Sequence, residues 1–255
     1  MSLISVVIIA KNEAANIVDC IVSARQVSDD IIVADSGSKD NTPGLVVETG
    51  ARLLETEWKG YGQTRNEAAT IAKNNWILSL DADERITPGL AAAINSLSLS
   101  NEMLLYGFRR KSFLAAKKIR FGEWGRDRVY RLYHRQQASW DLLPVHENIN
   151  GNNISKTIVP GELLHYTMKD LNEYSQKTLL YAKLSANKYI EQGRKASLIR
   201  QFISPVFSFI QNYIFRLGFL DGKEGFIIAY TSSKYIYLKY KFLNSLLKAN
   251  KKAGF

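Results

Sequence analysis

The chain has 255 residues, 46% of them hydrophobic and 23% charged, which is ordinary globular usage and excludes a disordered or low-complexity chain. The length suits one compact domain with an appended part, and the single cysteine, Cys20, excludes an internal disulfide and a thiolate metal cage. The formal net charge of +10 belongs to the C-terminal third: residues 1–165 carry 19 Lys+Arg against 19 Asp+Glu, and residues 166–255 carry 15 against 5.

The N-terminal segment MSLISVVIIAKNE has no basic leader and no small-residue cleavage signature, so it is read as a first strand and not as a signal peptide. The β-branched run Ile4-Ser5-Val6-Val7-Ile8-Ile9-Ala10 has the pattern of a strand buried on both faces of a parallel sheet. Lys11-Asn12-Glu13 ends it, and Ile17, Ile21, Ala24 and Val27 then recur at helical spacing. The pattern repeats: Ile31-Ile32-Val33-Ala34 is a second strand, followed by the turn-rich Asp35-Ser36-Gly37-Ser38-Lys39-Asp40-Asn41-Thr42. Residues 52–55 form a weaker third strand, 62–73 a helix, and 76–80 a fourth strand. Alternation of strands and helices predicts an α/β fold with an open, mostly parallel sheet, whose ligands bind at the carboxyl ends of the strands. Lys11-Asn12-Glu13, Asp35-Ser36-Gly37-Ser38 and Asp81-Ala82-Asp83 all fall at such ends.

Further on, a helix from Pro88 to about Leu97 leads to the apolar 104–108, then to a loop with five Lys/Arg over 109–118. Residues 129–134 alternate like a strand, and Gly151-Asn152-Asn153 marks a turn before a strand over 154–159. From about Met168 the pattern is helical, with Leu171, Tyr174, Thr178, Tyr181 and Leu184 at three- and four-residue steps. Residues 201–215 carry no charge, contain Pro205 and are bounded by Arg200 and Arg216; the stretch is too short and too polar to span a bilayer but fits its interface. A boundary falls near residue 165, where charge and periodicity both change.

The stretch WILSLDADE places three carboxylates, Asp81, Asp83 and Glu84, within four residues at a strand end. In extended backbone Asp81 and Asp83 face the same way, a donor pair suited to Mg²⁺ or Mn²⁺ carrying a diphosphate. The structural alternative is that these acids cap the helix that begins at Pro88. A haloacid dehalogenase reading fits poorly, because its acidic pair follows the first strand and continues with Gly-Thr, whereas here it follows the fourth and continues with Glu-Arg.

Taken together, residues 4–13, residues 31–42 and Leu78-Ser79-Leu80-Asp81-Ala82-Asp83 resemble, in order and spacing, the inverting family 2 glycosyltransferases of the GT-A fold. The resemblance implies that Ala10, Lys11, Asn12, Glu13 and Asp35, with Ser36 and Ser38 in the same loop, line a uracil and ribose pocket. It also implies that Asp83 holds the metal, that Asp81 faces ribose or metal, and that His165 in Leu-Leu-His-Tyr-Thr is a further metal ligand, the alternative being a hydrogen-bonded core histidine. Arg65 in Gly-Tyr-Gly-Gln-Thr-Arg-Asn looks like the family's basic element at a helix start, where it would meet phosphate; the bland reading is a surface arginine. Gly122 and Trp124 in Gly-Glu-Trp-Gly resemble the glycine loop beside donor sugar and acceptor.

Inverting transfer needs a general base for the acceptor hydroxyl. Glu147 matches the position of the family's base, although Val145-His146-Glu147 departs from the usual x-Glu-Asp; His146 lies beside it among the substrate-binding candidates, and Asp127 is the reserve. The structural alternative is that Glu147 only pairs with a nearby arginine.

Arg131-Leu132-Tyr133, Val145-His146-Glu147, His165-Tyr166-Thr167 and residues 218–226 resemble one subgroup, the bacterial lipopolysaccharide core β-glucosyltransferases. That likeness implies a UDP-sugar donor, a lipid-linked anionic glycan acceptor, a Mn²⁺ or Mg²⁺ ion with no organic cofactor, and a cytoplasmic place at the inner face of the inner membrane. The basic, aromatic tail suits an anionic membrane surface. Two alternatives stand beside this: a polyprenyl-phosphate acceptor, and a non-catalytic module binding sugar nucleotide or nucleic acid. Nucleic acid is not expected, because the tail's Tyr and Phe recur at helical core spacing and do not form an open platform.

Overall fold

The computed structural model describes residues 3–143, 147–168, 171–195 and 197–252. Two units are distinguished: 1–111 with 127–165, and 112–126 with 166–255.

In the first unit, β1 (Ile4–Ala10), α1 (Ile17–Ala24), β2 (Asp30–Asp35), α2 (Thr42–Glu48), β3 (Arg52–Glu55), α3 (Tyr61–Thr70) and β4 (Trp76–Asp81) follow one another as strand and helix. After β4 come β5 (Glu84–Ile86), α4 (Pro88–Asn95) and the long β6 (Leu104–Leu114), which turns back into β7 (Lys117–Lys118). Then follow β8 (Arg128–His134), the short β9 (Ser139–Trp140) and β10 (Ile149–Asn150), and β11 (Ser155–Met168). The main sheet has the order β3-β2-β1-β4-β8-β6-β11-β5, and β9 pairs with β10 apart from it.

The α/β expectation holds for the N-terminal half, where β3, β2, β1 and β4 are all parallel. The strands beyond β4 are antiparallel where β8 meets β4 and β6, and where β11 meets β5. Every residue of β1 is buried, which is why its sequence does not alternate. Ile8 and Leu80 are both sealed from solvent in the main core, each worth roughly 1.5–3 kcal/mol of transfer free energy.

Strand order reverses at β1: β2 and β3 lie on one side of it and β4 on the other. Parallel βαβ geometry leaves a crevice at the carboxyl end of such a reversal. The register puts Ala10 opposite Asp35 and Ile9 opposite Asp81, so the first, second and fourth strands finish on one rim.

Two local readings are corrected. The basic stretch 109–118 is not a loop; it is the second half of β6 and its hairpin to β7, because Arg110 finds carboxylates on neighbouring elements. The strand expected over 154–159 runs on to Met168 through Pro160 and Gly161, the latter at φ +109° against Leu90 of α4, where a Cβ would stand 2.6 Å from the Leu90 Cα.

The second unit holds α5 (Leu171–Glu191), α6 (Leu198–Ile210), a π-helical turn (Gln211–Phe215) and α7 (Gly222–Lys252). Helix α7 packs on both α5 and α6, and Ser185 on α5 shares a 2.7 Å hydrogen bond with Tyr235 on α7.

Candidate active site

The loops after β1 and β2 are sewn to each other. Asn12 adopts φ +57°; its N–H donates to Ser38 Oγ at 2.8 Å, and its Oδ1 accepts from the Lys39 N–H at 2.7 Å. The Glu13 N–H donates to Thr42 Oγ1 at 2.9 Å, and the Ser36 N–H to the Ala10 carbonyl at 3.0 Å. Asp35 is buried. Its Oδ1 accepts from the Gly37 and Ser38 N–H groups at 3.0 and 2.8 Å, and its Oδ2 from the Ser38 hydroxyl. Asp35 thus braces its own loop, an arrangement typical of Asp after a strand. Ser36 Oγ, by contrast, is buried with no hydrogen-bond partner among the described residues, an orphaned group at the rim.

Asp81 and Asp83 do not share a partner, because β4 ends at Asp81 and the chain turns over 82–83, breaking the two-residue alternation of a strand. Asp81 Oδ1 accepts from Arg65 Nη2 at 2.5 Å, and its Oδ2 from Arg131 Nη2 at 2.7 Å. Burial alone would raise the Asp81 carboxyl, but Arg131 and then Arg65 hold it far below the ordinary carboxylate range. Asp83 instead faces His165, whose Nε2 lies 3.3 Å from its Oδ2. The β5–β11 register, which pairs Glu84 with His165, brings them together.

The acids do not cap α4. Thr87 does so, accepting the Leu90 N–H at 3.2 Å. Glu84 is sealed from solvent; its Oε2 accepts the Asp81 N–H at 3.0 Å, and its Oε1 lies 3.3 Å from Arg110 Nη1 and 3.4 Å from Arg131 Nη2. Arg110 continues to Asp127, donating through Nε at 2.7 Å with Nη2 at 2.6 Å from the same oxygen.

Arg65 is not a surface residue. It is 2% exposed and spans two acids, with Nη1 2.6 Å from Glu147 Oε1 and Nη2 on Asp81. Its guanidinium lies 4.4 Å from the Trp140 ring centroid, and that of Arg131 lies 5.4 Å from the same ring. Trp140 is fixed in turn by its indole N–H on Ser79 Oγ at 3.2 Å. Helix α3 approaches β9 closely only because residue 62 is glycine: a Cβ there would lie 1.9 Å from the Asp141 carbonyl oxygen.

The structure therefore brings together Asp81, Arg65 and Glu147, pairs Asp83 with His165, and joins Asp127 to the same charge network through Arg110 and Glu84. Lys11 and Asn12 are exposed and Glu13 half-buried at the rim. Gly122 and Trp124 belong to the second unit, where the Gly122 N–H donates to the Arg216 carbonyl at 2.9 Å and Trp124 packs 5.4 Å from Tyr174. His146 lies outside the described residues. The sequence reasoning missed Glu84, Arg110, Arg131 and Trp140. Glu84 stood in the acidic turn and Arg131 in a quoted motif, yet buried charge partners on distant strands leave no mark on local pattern.

The decisive comparison is with the family model described as glycosyl transferase family 2, which matches residues 5–158. The chain belongs to this family. The glycosyltransferase is 29% identical over 241 residues to an uncharacterised glycosyltransferase of Rickettsia bellii, covering 88% of this chain and 80% of that one. It is 29% identical over 243 residues to the lipopolysaccharide core biosynthesis glycosyltransferase LpsC of Rhizobium meliloti, covering 92% and 89%. Among solved structures, glucosyl-3-phosphoglycerate synthase of Mycobacterium tuberculosis, in complex with Mn²⁺, uridine diphosphate and glucosyl-3-phosphoglycerate, aligns at 26% identity over 44% of each chain with a TM-score of 0.35. The glycosyltransferase thus spans less than half of that enzyme, an overlap too partial to bear on ligands.

The family implies a divalent cation, and the residues present fit one in part. No group of three or more His, Cys, Asp or Glu side chains suited to a metal occurs among the described residues. Asp83 with His165 nevertheless supplies one carboxylate oxygen and one imidazole nitrogen at a strand end. Mg²⁺ and Mn²⁺ are commonly held this way, by one or two protein groups with waters and substrate phosphates completing the shell.

Proposed function

We propose that this family 2 glycosyltransferase moves a hexose, glucose by the resemblance, from a UDP-sugar to a lipopolysaccharide-core acceptor with inversion at the anomeric carbon. The observation that carries the reading is the Arg65 bridge, which fixes Glu147 beside Asp81 on the rim where β1, β2 and β4 end. The 29% identity to LpsC over nearly its whole length supports the acceptor class.

In this mechanism Glu147 takes the proton of the acceptor hydroxyl as that oxygen attacks the anomeric carbon, and the glycosidic bond to the diphosphate breaks on the opposite face. Arg65 holds the Glu147 carboxylate in place, and the Trp140 ring beneath the guanidinium limits its movement. The unpartnered Ser36 hydroxyl and the exposed Lys11 and Asn12 bind the nucleoside end of the donor, while Asp35 keeps their loops in register. Asp83 and His165 hold the cation, which when bound supplies positive charge to the leaving diphosphate. A lipid-linked acceptor places the enzyme at the inner face of the inner membrane, against anionic lipid.

Calorimetric titration of UDP into the protein, with Mn²⁺ and with chelator, and into Asp83→Ala, tests the reading. Metal-dependent binding that the substitution abolishes supports it, and binding in none of these conditions overturns it.

A further inference from the structure

Helix α6 is built inside out. Its inward stripe is buried Gln201 and Pro205 with half-buried Ser208, continued by buried Asn212 in the π-helical turn, spaced as one helical face, with Gln201 8% and Asn212 4% exposed. Those inward polar groups are satisfied. Gln201 Oε1 accepts from Asn244 Nδ2, the Pro205 carbonyl accepts the Ser233 hydroxyl at 2.9 Å, and Asn212 Oδ1 accepts from Arg216 Nη1 at 2.9 Å. The outward face is apolar: Phe202, Ile203, Val206, Phe207, Ile214 and Phe215 all point to solvent, Phe207 at 62% and Phe215 at 72% exposed.

A water-facing helix normally has the opposite polarity, and a contiguous apolar face of this kind marks a surface that something covers. Exposed Arg194, Lys195, Arg200 and Lys223 flank it in sequence, within a C-terminal third that carries 15 Lys+Arg against 5 Asp+Glu. That charge selects the occupant. A second copy of this face would bring like charges together, whereas anionic headgroups would pair with them. The one-sided polarity of the segment sets the mode of contact. Its inward face carries Gln201, Ser208 and Asn212, and no helix among the described residues is long and apolar enough to cross a membrane, so the helix lies along the surface with its apolar side inserted.

We propose that α6 with the π-helical turn after it is an in-plane anchor, inserted by Phe202, Phe207 and Phe215 into an anionic bilayer. This deepens the membrane part of the proposed function and rests on it for the biological acceptor, though not for the physical contact.

The test is flotation of the full chain with vesicles of phosphatidylethanolamine and phosphatidylglycerol, and with vesicles of phosphatidylcholine alone. Expected is strong partition to the anionic vesicles, lowered about tenfold or more in Phe202→Ser/Phe207→Ser, since each 1.4 kcal/mol of lost insertion is a factor of ten. Lys195→Glu/Arg200→Glu, which leaves the apolar face intact, should lose the preference for anionic over neutral lipid. Both pairs are solvent-exposed, and a circular dichroism melt matched to the parent establishes that the variants are folded. Parent protein that stays in solution with anionic vesicles overturns the anchor, as does a dimer by light scattering that the double Phe variant converts to monomer without any vesicle binding. UDP titration on the same preparations separates the two ideas: UDP binding without vesicle binding sinks the anchor alone, and vesicle binding without UDP binding sinks the proposed UDP-sugar donor alone.

Discussion

Arg65 Nη1 lies 2.6 Å from Glu147 Oε1 across 82 positions of sequence. The contact turns a helix residue into the brace for the proposed base, and its other arm rests on Asp81. Replacing Arg65 by Met takes the guanidinium from Glu147 and leaves Asp81 with Arg131 alone at 2.7 Å. Because both acids keep some exposure, the expected loss of stability is about 2–3 kcal/mol, below the range for a fully buried pair. Sugar transfer should fall about 100-fold through misplacement of the base. Arg65→Lys should recover stability better than turnover, since an ammonium cannot bridge both acids as the planar fork does. Urea denaturation and a UDP-release assay read the two effects separately, and equal recovery of both would remove the bracing role.

His165→Ala should leave the fold intact, because the imidazole sits at the end of the β5–β11 pairing, beyond the Leu163–Ile86 pair, and is not itself one of the side chains of the main core. Its expected effect is a loss of about tenfold or more in Mn²⁺-dependent UDP affinity, in line with removal of a group at a metal site. Calorimetry with and without chelator checks this. UDP affinity unchanged in the presence of Mn²⁺ would exclude His165 from the cation site.

Gly62→Ala tests how α3 is seated. The added methyl would meet the Asp141 carbonyl oxygen at 1.9 Å, so the helix has to shift and take Arg65 with it. A destabilisation of about 1–3 kcal/mol is expected from overpacking, with turnover reduced more than UDP affinity. Thermal melts alongside initial rates decide; a variant as stable and as active as the parent would show that α3 is free to move.

Asp30 gives the clearest pH signature away from the site. Burial pushes its carboxyl up, but the Ser5 hydroxyl at 2.6 Å, the Lys73 N–H at 2.8 Å and Arg52 at 2.9 Å outweigh that and lower it. The unfolded chain, near ~3.9, therefore takes up the proton before the native one. The contribution is complete above that value and is lost as pH falls through the lower native value. Asp30→Ala should cost about 2 kcal/mol near neutrality, and its difference from the parent should shrink in acid. Denaturant midpoints at pH 7 and pH 3 measure this; a gap that does not narrow contradicts it.

Much of the first unit was legible in the sequence because burial on both faces writes itself as a nearly continuous apolar run. Ile4–Ala10 and Trp76–Asp81 are such runs, and their ends located the rim. The stretch 109–118 was opaque for the opposite reason. Arg110 looks like a loop residue until Glu84 and Asp127, which neutralise it, are seen beside it. Residues 201–215 were legible as an uncharged segment, but nothing in their composition tells that Gln201 and Asn212 turn inward and Phe202, Phe207 and Phe215 outward.

Local pattern alone thus determined the alternation of strands and helices, the family resemblance, the acidic turn at Asp81–Glu84 and the basic character of the last third. These depend on near neighbours, on side-chain period and on composition. Only the tertiary structure decided that Asp81 belongs to Arg65 and Arg131, that Asp83 meets His165, and which face of α6 is wet. A charge can be buried only where its counter-charge is also placed, and that placement depends on strand order and register between segments far apart in the chain.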